Sequence, residues 1–163
     1  MSILIISHNW IIQNVVEQVG MTCGYPSIAA AAVQEAEAKL AQLGHSRFAL
    51  IVIDTSMLGE GNSDLQVEAG YLLRTWPGQY PGLPMVFIGT ALQKYAILAS
   101  HAKLVPFVTT PFSPHDLMQM IQPLLPPSTP HPPRPTSKTR TIDTRRGGVL
   151  RRKPNPEALP PCG

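Results

Sequence analysis

The fold is decided by a run in the middle of the chain, Phe48-Ala49-Leu50-Ile51-Val52-Ile53-Asp54. Apolar residues follow one another without alternation, and the last three before the aspartate are β-branched. This pattern predicts a strand that is buried on both faces of a parallel sheet. The strand carries one carboxylate, Asp54, to its C-terminal end. Ligands of open α/β sheets collect at that edge, so Asp54 is the first candidate functional residue.

Strand-like and helix-like segments alternate five times along the chain. The predicted strands are 3–6, 28–30, 48–53, 85–88 and 104–108, and the predicted helices are 10–19, 33–43, 63–76, 92–100 and 114–121. We expect Gly20, Gly44 and Pro77 to end the first three helices. The alternation predicts an α/β fold, a three-layer sandwich around a five-stranded parallel sheet in the flavodoxin-like order.

Polar residues follow several of the predicted strands. Right-handed crossovers bring the C-terminal ends of parallel strands to one edge of the sheet. We therefore expect one polar pocket there, formed by Ser7, His8, Asp54, Thr90 and Thr110.

Charge and composition divide the chain near Leu125. Residues 1–124 carry five basic and eight acidic side chains, a net charge of −3, whereas residues 125–163 carry eight basic and two acidic ones, a net charge of +6. The second part opens with a proline-rich stretch and has too little apolar surface to fold alone. We predict a domain over 1–124 and a tail over 125–163 that is disordered or ordered only on a partner.

Other features exclude several classes of protein. The two cysteines, Cys23 and Cys162, provide no disulfide framework and no metal-binding spacing. The apolar N-terminus lacks the basic region of a signal peptide, and no apolar stretch is long enough to cross a bilayer. These features favour a cytoplasmic protein with neither a cofactor nor a bound metal.

Three segments at the ends of predicted strands carry a further pattern. Asp54-Thr55-Ser56-Met57-Leu58-Gly59 is similar to the phosphoacceptor segment in the receiver domain of two-component response regulators, with Leu58 where that family has proline. The resemblance covers residues 2–124 and implies a protein of the bacterial type. Gly89-Thr90-Ala91 resembles the end of the fourth strand, where either Gly89 or Thr90 takes the position of the family's switch residue. Phe107-Val108-Thr109-Thr110-Pro111-Phe112 resembles the fifth strand and its conserved-type Lys-Pro-Phe sequence.

The chain departs from the family at the residues of the chemistry. Ser7 and His8 stand where the family has two acidic residues, and Thr110 stands where it has a lysine. Phosphoryl transfer needs a cation to neutralise the transferring group, and Mg²⁺ prefers several oxygen ligands. The resemblance therefore implies a degenerate phosphoacceptor pocket in which Asp54 is a structural carboxylate, capping a loop amide or pairing with His8. Phosphorylation of Asp54, as in a working response regulator, is the alternative.

Two groups of residues are candidates for binding partners. In receiver-like domains the last strand and helix commonly form an interface, which here would include Phe107, Met118 and Met120. Methionine and leucine at helical spacing are also typical of a core. The tail carries cations around a small apolar centre: Arg145, Arg146, Val149, Leu150, Arg151, Arg152 and Lys153.

The function predicted from these observations is that of a non-catalytic adaptor or regulatory protein. It would act independently of phosphorylation and bind one or more proteins, in a larger complex or as a homodimer. We favour docking of the basic tail on a protein. Nucleic-acid binding by the tail is the second alternative, weakened by the absence of aromatic residues for base stacking.

Overall fold

Ten regular elements alternate along the described chain. The structure is a computed structural model and describes residues 1–59, 62–100 and 105–127. The strands are β1 (Ser2–Ile6), β2 (Ser27–Ala30), β3 (Phe48–Asp54), β4 (Met85–Gly89) and β5 (Phe107–Thr109). The helices are α1 (Trp10–Thr22), α2 (Val33–Leu43), α3 (Asn62–Gln79), α4 (Ala91–Ser100) and α5 (Pro114–Ile121).

The five strands form one parallel sheet in the order β2-β1-β3-β4-β5. This is the flavodoxin-like order, and the predicted fold class is confirmed. The register pairs Ile6 of β1 with Ile53 of β3, and Asp54 with Ile88 of β4. The residue that follows β1 therefore comes to lie beside the end of β3, which places Ser7 next to Asp54.

The central strand β3 is buried along its whole length because helices cover both faces of the sheet. Ile51 and Ile53 belong to a core that contains buried residues of α2, α3 and α4. Leu50 and Val52 belong to a second core with buried residues of α1 and α5. Alternate residues of a strand point to opposite faces, so one continuous apolar run supplies both cores.

Two predicted helix ends are wrong. Helix α1 continues through Gly20 to Thr22, because Gly20 serves close packing rather than termination. A Cβ atom at Gly20 would lie 2.9 Å from the carbonyl oxygen of Tyr25 and 3.1 Å from Cδ1 of Ile3. Helix α3 continues through Pro77 to Gln79. Pro77 has no amide hydrogen to donate, but helical hydrogen bonding continues beyond it, since the amide of Tyr80 donates a hydrogen bond of 2.7 Å to the carbonyl oxygen of Trp76.

The packed chain extends past the predicted boundary at residue 124. Leu124 and Leu125 pack against the second core, and the hydroxyl of Tyr25 donates a hydrogen bond of 2.5 Å to the carbonyl oxygen of Pro126. Residue 104, where the last strand was predicted to begin, lies outside the described residues, and β5 begins at Phe107. In the described part of the chain, no helix has the length and apolar character needed to cross a membrane.

Candidate functional site

Asp54 ends β3 and has both carboxylate oxygens engaged in hydrogen bonds. The residue is only 3% exposed. Its Oδ2 accepts a hydrogen bond of 2.7 Å from the hydroxyl of Ser7. Its Oδ1 accepts two from Ser56, one of 3.0 Å from the amide and one of 2.7 Å from the hydroxyl. Asp54 thus caps the short 3₁₀ turn Thr55–Met57 and ties β3 to the residue after β1.

Ser7 links three elements at this edge of the sheet. It is completely buried immediately after β1. Its hydroxyl donates to Asp54 and accepts a hydrogen bond of 3.0 Å from the amide of Asn9, the N-cap residue of α1. Its carbonyl oxygen accepts a hydrogen bond from the side-chain amide of Gln13. Ser7 therefore fixes the start of α1 relative to β3.

Among the described residues, His8 forms neither a hydrogen bond nor an ion pair with Asp54. Its side chain is exposed, and Nδ1 contacts the sulfur atom of Met57. Successive side chains of extended backbone point in opposite directions, which explains why Ser7 reaches Asp54 and His8 does not. Of the two structural roles considered for Asp54, the structure has the capping of a loop amide and not the pairing with His8.

At the end of β4, Gly89 occupies the strand position and Thr90 lies beyond it. Gly89 pairs with Thr109 of β5, whereas Thr90 is exposed. A Cβ atom at Gly89 would lie 1.9 Å from Oγ1 of Thr55 and 2.7 Å from Oε1 of Gln93. The buried hydroxyl of Thr55 therefore fills the space that a side chain at position 89 would take.

A small hydrogen-bond network surrounds this hydroxyl. Oγ1 of Thr55 lies 3.0 Å from the carbonyl oxygen of Ile88 and 2.9 Å from Oε1 of Gln93, and its one proton can serve either acceptor. Oε1 of Gln93 also accepts a hydrogen bond of 2.8 Å from the amide of Thr90. The network joins the residue after Asp54 to the first turn of α4. Sequence reasoning missed Thr55 and Gln93, because neither residue type marks such a contact.

Thr110 follows β5 and reaches the same edge of the sheet. Its amide donates a hydrogen bond of 2.7 Å to the carbonyl oxygen of Gly89, and its side chain is partly exposed. The five predicted pocket residues thus lie at neighbouring strand ends, but only Ser7 bonds to Asp54. The hydroxyl of Thr110 carries no charge, so it does not replace the ammonium group of the lysine that the receiver family has at this position.

The residues at this edge do not fit a Mg²⁺ ion. Mg²⁺ requires near-octahedral oxygen ligands, usually including carboxylates. Of the five predicted pocket residues, Asp54 is the one that carries a carboxylate, and it accepts hydrogen bonds on both oxygens. Within the ranges that the structure describes, no group of three or more His, Cys, Asp or Glu side chains is placed to hold a metal. The arrangement is suited to holding a turn in place.

The candidate partner surface differs from the set predicted from sequence. Phe107 is 5% exposed and packs in the core, whereas Met118 and Met120 are partly exposed beside the second core. Helix α4 presents Leu92, 65% exposed, and Tyr95, 70% exposed. Leu92 and Tyr95 stand three residues apart, a spacing that places two large apolar side chains on one face of α4, and this was the sequence signal that could have identified them. The basic segment 145–153 lies outside the described residues.

Solved structures of receiver domains are similar in fold to this chain. The receiver domain of NtrX from Brucella abortus has a TM-score of 0.58 and 18% identity, over 76% of this chain and 98% of that chain. The chemotaxis response regulator CheY4 of Vibrio cholerae has a TM-score of 0.54 and 23% identity, over 76% and 98%. The described part of the chain has a receiver fold. No protein-family model and no curated protein sequence matches the chain.

A third solved structure is similar over the same part of the chain. It is the beryllofluoride-activated NtrC4 receiver domain dimer, with a TM-score of 0.55 and 20% identity, over 76% of this chain and 95% of that chain. The receiver-like fold predicted from the strand-end motifs is therefore confirmed. Within that fold, Asp54 lies at the end of the central strand, with Ser7 beside it.

Proposed function

We propose that the protein is a receiver-like regulatory module that binds other proteins without being phosphorylated. The observation that carries this proposal is the burial and hydrogen bonding of the Asp54 carboxylate. Its two oxygens accept three hydrogen bonds from Ser7 and Ser56, and it is almost completely buried. A carboxylate held in this way is a capping group and a poor nucleophile toward a phosphodonor.

The surroundings of Asp54 support the same conclusion. In-line phosphoryl transfer depends on positive charge that stabilises the equatorial oxygens of the transferring group. Ser7 and Thr110 supply no charge, and His8 is turned toward Met57. The residues in place of the family's acidic pair and lysine therefore leave Asp54 without the electrostatic partners for the reaction.

The contacts between the end of β4 and the start of α4 support a partner surface that is exposed without phosphorylation. Thr55 and Gln93 join the segment after Asp54 to α4 without any modification. Helix α4 then presents Leu92 and Tyr95 to solvent. Exposed apolar side chains grouped on one helix are typical of protein interfaces.

We assign partner binding to two regions of the chain. The first is the surface of α4 and α5, with Leu92, Tyr95, Met118 and Met120. The second is the basic segment of the tail, with its cations at Arg145, Arg146, Arg151, Arg152 and Lys153 around Val149 and Leu150. Its charge favours an acidic protein surface over a basic one. A homodimer through the first region is one form that this binding can take.

Phosphorylation is tested by incubation with Mg²⁺ and a small phosphodonor, followed by measurement of the intact mass. We expect no addition of a phosphoryl group to the wild-type protein under conditions that modify an active receiver domain. The Asp54→Ala variant is the control. An added phosphoryl group that disappears in Asp54→Ala would assign the protein to the working response regulators instead.

Partner binding is tested by affinity capture with three forms of the full-length protein. We expect a partner retained by the wild type to be lost from a Leu92→Asp, Tyr95→Asp variant, because buried charge opposes an apolar interface. Met21→Asp is the matched control, since Met21 is an exposed apolar residue on α1. Equal capture by all three forms would remove α4 from the proposal.

A further inference from the structure

A groove runs between α2 and α3, on the side of the sheet that also carries α4. It has a volume of about 440 Å³. Residues that line it include Val33, Glu37, Leu58, Val67, Glu68 and Tyr71. This volume lies in the lower part of the range found for ligand pockets, roughly 300–1,000 Å³, which suits one or two side chains rather than a whole folded element.

The floor and one wall of the groove are apolar. Leu58 is completely buried at the base. Val67 and Tyr71, one helical turn apart on α3, line the wall and are 67% and 46% exposed. Side chains at positions i and i+4 lie on one helix face, so they present a continuous apolar strip to the groove. Covering such a strip releases apolar surface from water and favours an occupant with apolar side chains.

The charged lining is acidic. Glu37 on α2 and Glu68 on α3 line the groove together with the neutral amide of Gln34, and among the described residues no lysine, arginine or histidine lines it with them. The carboxylate of Glu37 is positioned by the indole of Trp76, whose Nε1 donates a hydrogen bond of 3.3 Å to it. Within the described part of the chain, Glu68 is exposed and takes part in no ion pair. A cationic occupant would supply the missing countercharges.

The charge of the groove also argues against a second copy of the domain as the occupant. In a two-fold symmetric dimer the same surface patch meets itself. Such a dimer would bring Glu37 and Glu68 of one copy close to the same residues of the other. Like charges brought together in an interface oppose association.

We propose that the α2–α3 groove binds a basic peptide, supplied by another molecule, that carries one or two apolar side chains between its cations. The apolar side chains would contact Leu58, Val67 and Tyr71, and the flanking cations would pair with Glu37 and Glu68. Arg145-Arg146-Gly147-Gly148-Val149-Leu150-Arg151-Arg152-Lys153 has the composition of such a peptide, so it provides a probe of known sequence. The groove is separate from the α4 surface, and either site can fail without the other.

The test uses a fragment of residues 1–129 and a fluorescent synthetic peptide of residues 145–153 added in trans. Both hydrophobic cores consist of residues between Ile3 and Leu125, and residues 1–129 form one compact unit, so the fragment contains a complete domain. Fluorescence anisotropy should give saturable binding with a Kd of about 10–100 μM, the range of a small interface with few anchors. Added salt should weaken the binding, because it screens exposed charges.

Three substitutions locate the binding site. Glu68→Lys should weaken binding about tenfold, because it replaces attraction by repulsion. Tyr71→Ala should also weaken it, because part of the apolar wall is lost. Glu17→Lys on α1 should leave the Kd within about twofold, since Glu17 is an exposed acid on the opposite face of the sheet. Both groove residues are partly or fully exposed, and an unchanged melting temperature will show that the fold is intact.

A second peptide tests the apolar part of the recognition. Replacement of Val149 and Leu150 by serine keeps the charge and should reduce binding strongly. The proposal is overturned if the wild-type fragment shows no saturable binding, if Glu17→Lys weakens binding as much as Glu68→Lys, or if the serine peptide binds equally well. A fragment dimer that Tyr71→Ala disperses would assign the groove to a second copy and overturn it as well.

Discussion

At the scale of single residues, the carboxylate of Asp54 caps the turn that follows β3 and bonds to the residue after β1. Ser7 supplies a neutral hydroxyl where a second carboxylate would repel Asp54. The Ser7 hydroxyl also accepts a hydrogen bond from the amide of Asn9, so one buried oxygen forms hydrogen bonds with two residues. The stability of the pair then depends on both members, because a buried charged oxygen without a donor is costly.

Ser7→Ala should lower the free energy of unfolding by about 1–3 kcal/mol, because it leaves a buried carboxylate oxygen without its donor. The same substitution made in an Asp54→Ala background should cost clearly less, since the charge is then absent. Urea denaturation of the four proteins measures the difference. Ser46→Ala, a change of an exposed serine, is the control and should have an effect within about 0.5 kcal/mol. Equal costs in the two backgrounds would contradict the structural role of the pair.

Position 89 offers a second test at the same scale. Gly89→Ala would place a Cβ atom 1.9 Å from Oγ1 of Thr55, so one of the two must move. We expect a loss of stability of about 1–3 kcal/mol, typical of overpacking, measured by urea denaturation. Adding Thr55→Ala should recover part of the loss, because it removes the hydroxyl from that space. A Gly89→Ala protein as stable as the wild type would show that Thr55 turns away without cost.

At the scale of elements, α5 begins with a reciprocal cap. The amide and hydroxyl of Ser113 donate to Oδ2 of Asp116, at 2.8 and 2.7 Å, and the amide of Asp116 donates to the Ser113 hydroxyl at 3.2 Å. The bonds from Ser113 hold the pKa of Asp116 below its usual value. A carboxylate with a lowered pKa stabilises the fold above the unfolded value, about 3.9, and this contribution disappears as the pH falls through the folded value.

Asp116→Asn should therefore lower the melting temperature at neutral pH, and its difference from the wild type should shrink as the pH falls below about 4. Circular dichroism melts of both proteins over a series of pH values provide the measurement. Glu17→Gln, which removes an exposed acid of α1, is the charge-matched control. A difference that stays constant over this range would mean that the cap does not depend on the ionised carboxylate.

The elements also show which parts of the structure could be predicted from sequence. The C-terminal end of α2 and the cap of α5 follow from local signals, namely Gly44 with φ of 81° and the Ser113–Asp116 pair. Gly20 was misread because its role is the close approach of α1 to Tyr25, a contact between elements. Likewise, strand-end reasoning brought Ser7 to Asp54, but the contact of Thr55 with Gln93 depends on packing between β3 and α4.

At the scale of the whole molecule, the end of the packed domain sets the boundary between the acidic part of the chain and the basic tail. The charge changes sign near residue 125, but packing continues for a short distance. Leu124 and Leu125 pack against the core of α1 and α5, and Tyr25 bonds to Pro126. Pro126, the first proline of the tail, is therefore bonded to the packed domain.

Fragments that end at residues 127 and 122 test this boundary. The shorter fragment loses two partly buried leucines and should be less stable by about 2 kcal/mol, given 1.5–3 kcal/mol for each fully buried leucine. Urea denaturation followed by the fluorescence of Trp76, which is buried in α3, measures the difference. Tyr25→Phe in the longer fragment isolates the hydrogen bond to Pro126 and should cost about 1 kcal/mol. Equal stability of the two fragments would place the end of the body at α5, because Leu124 and Leu125 would then contribute nothing to the core.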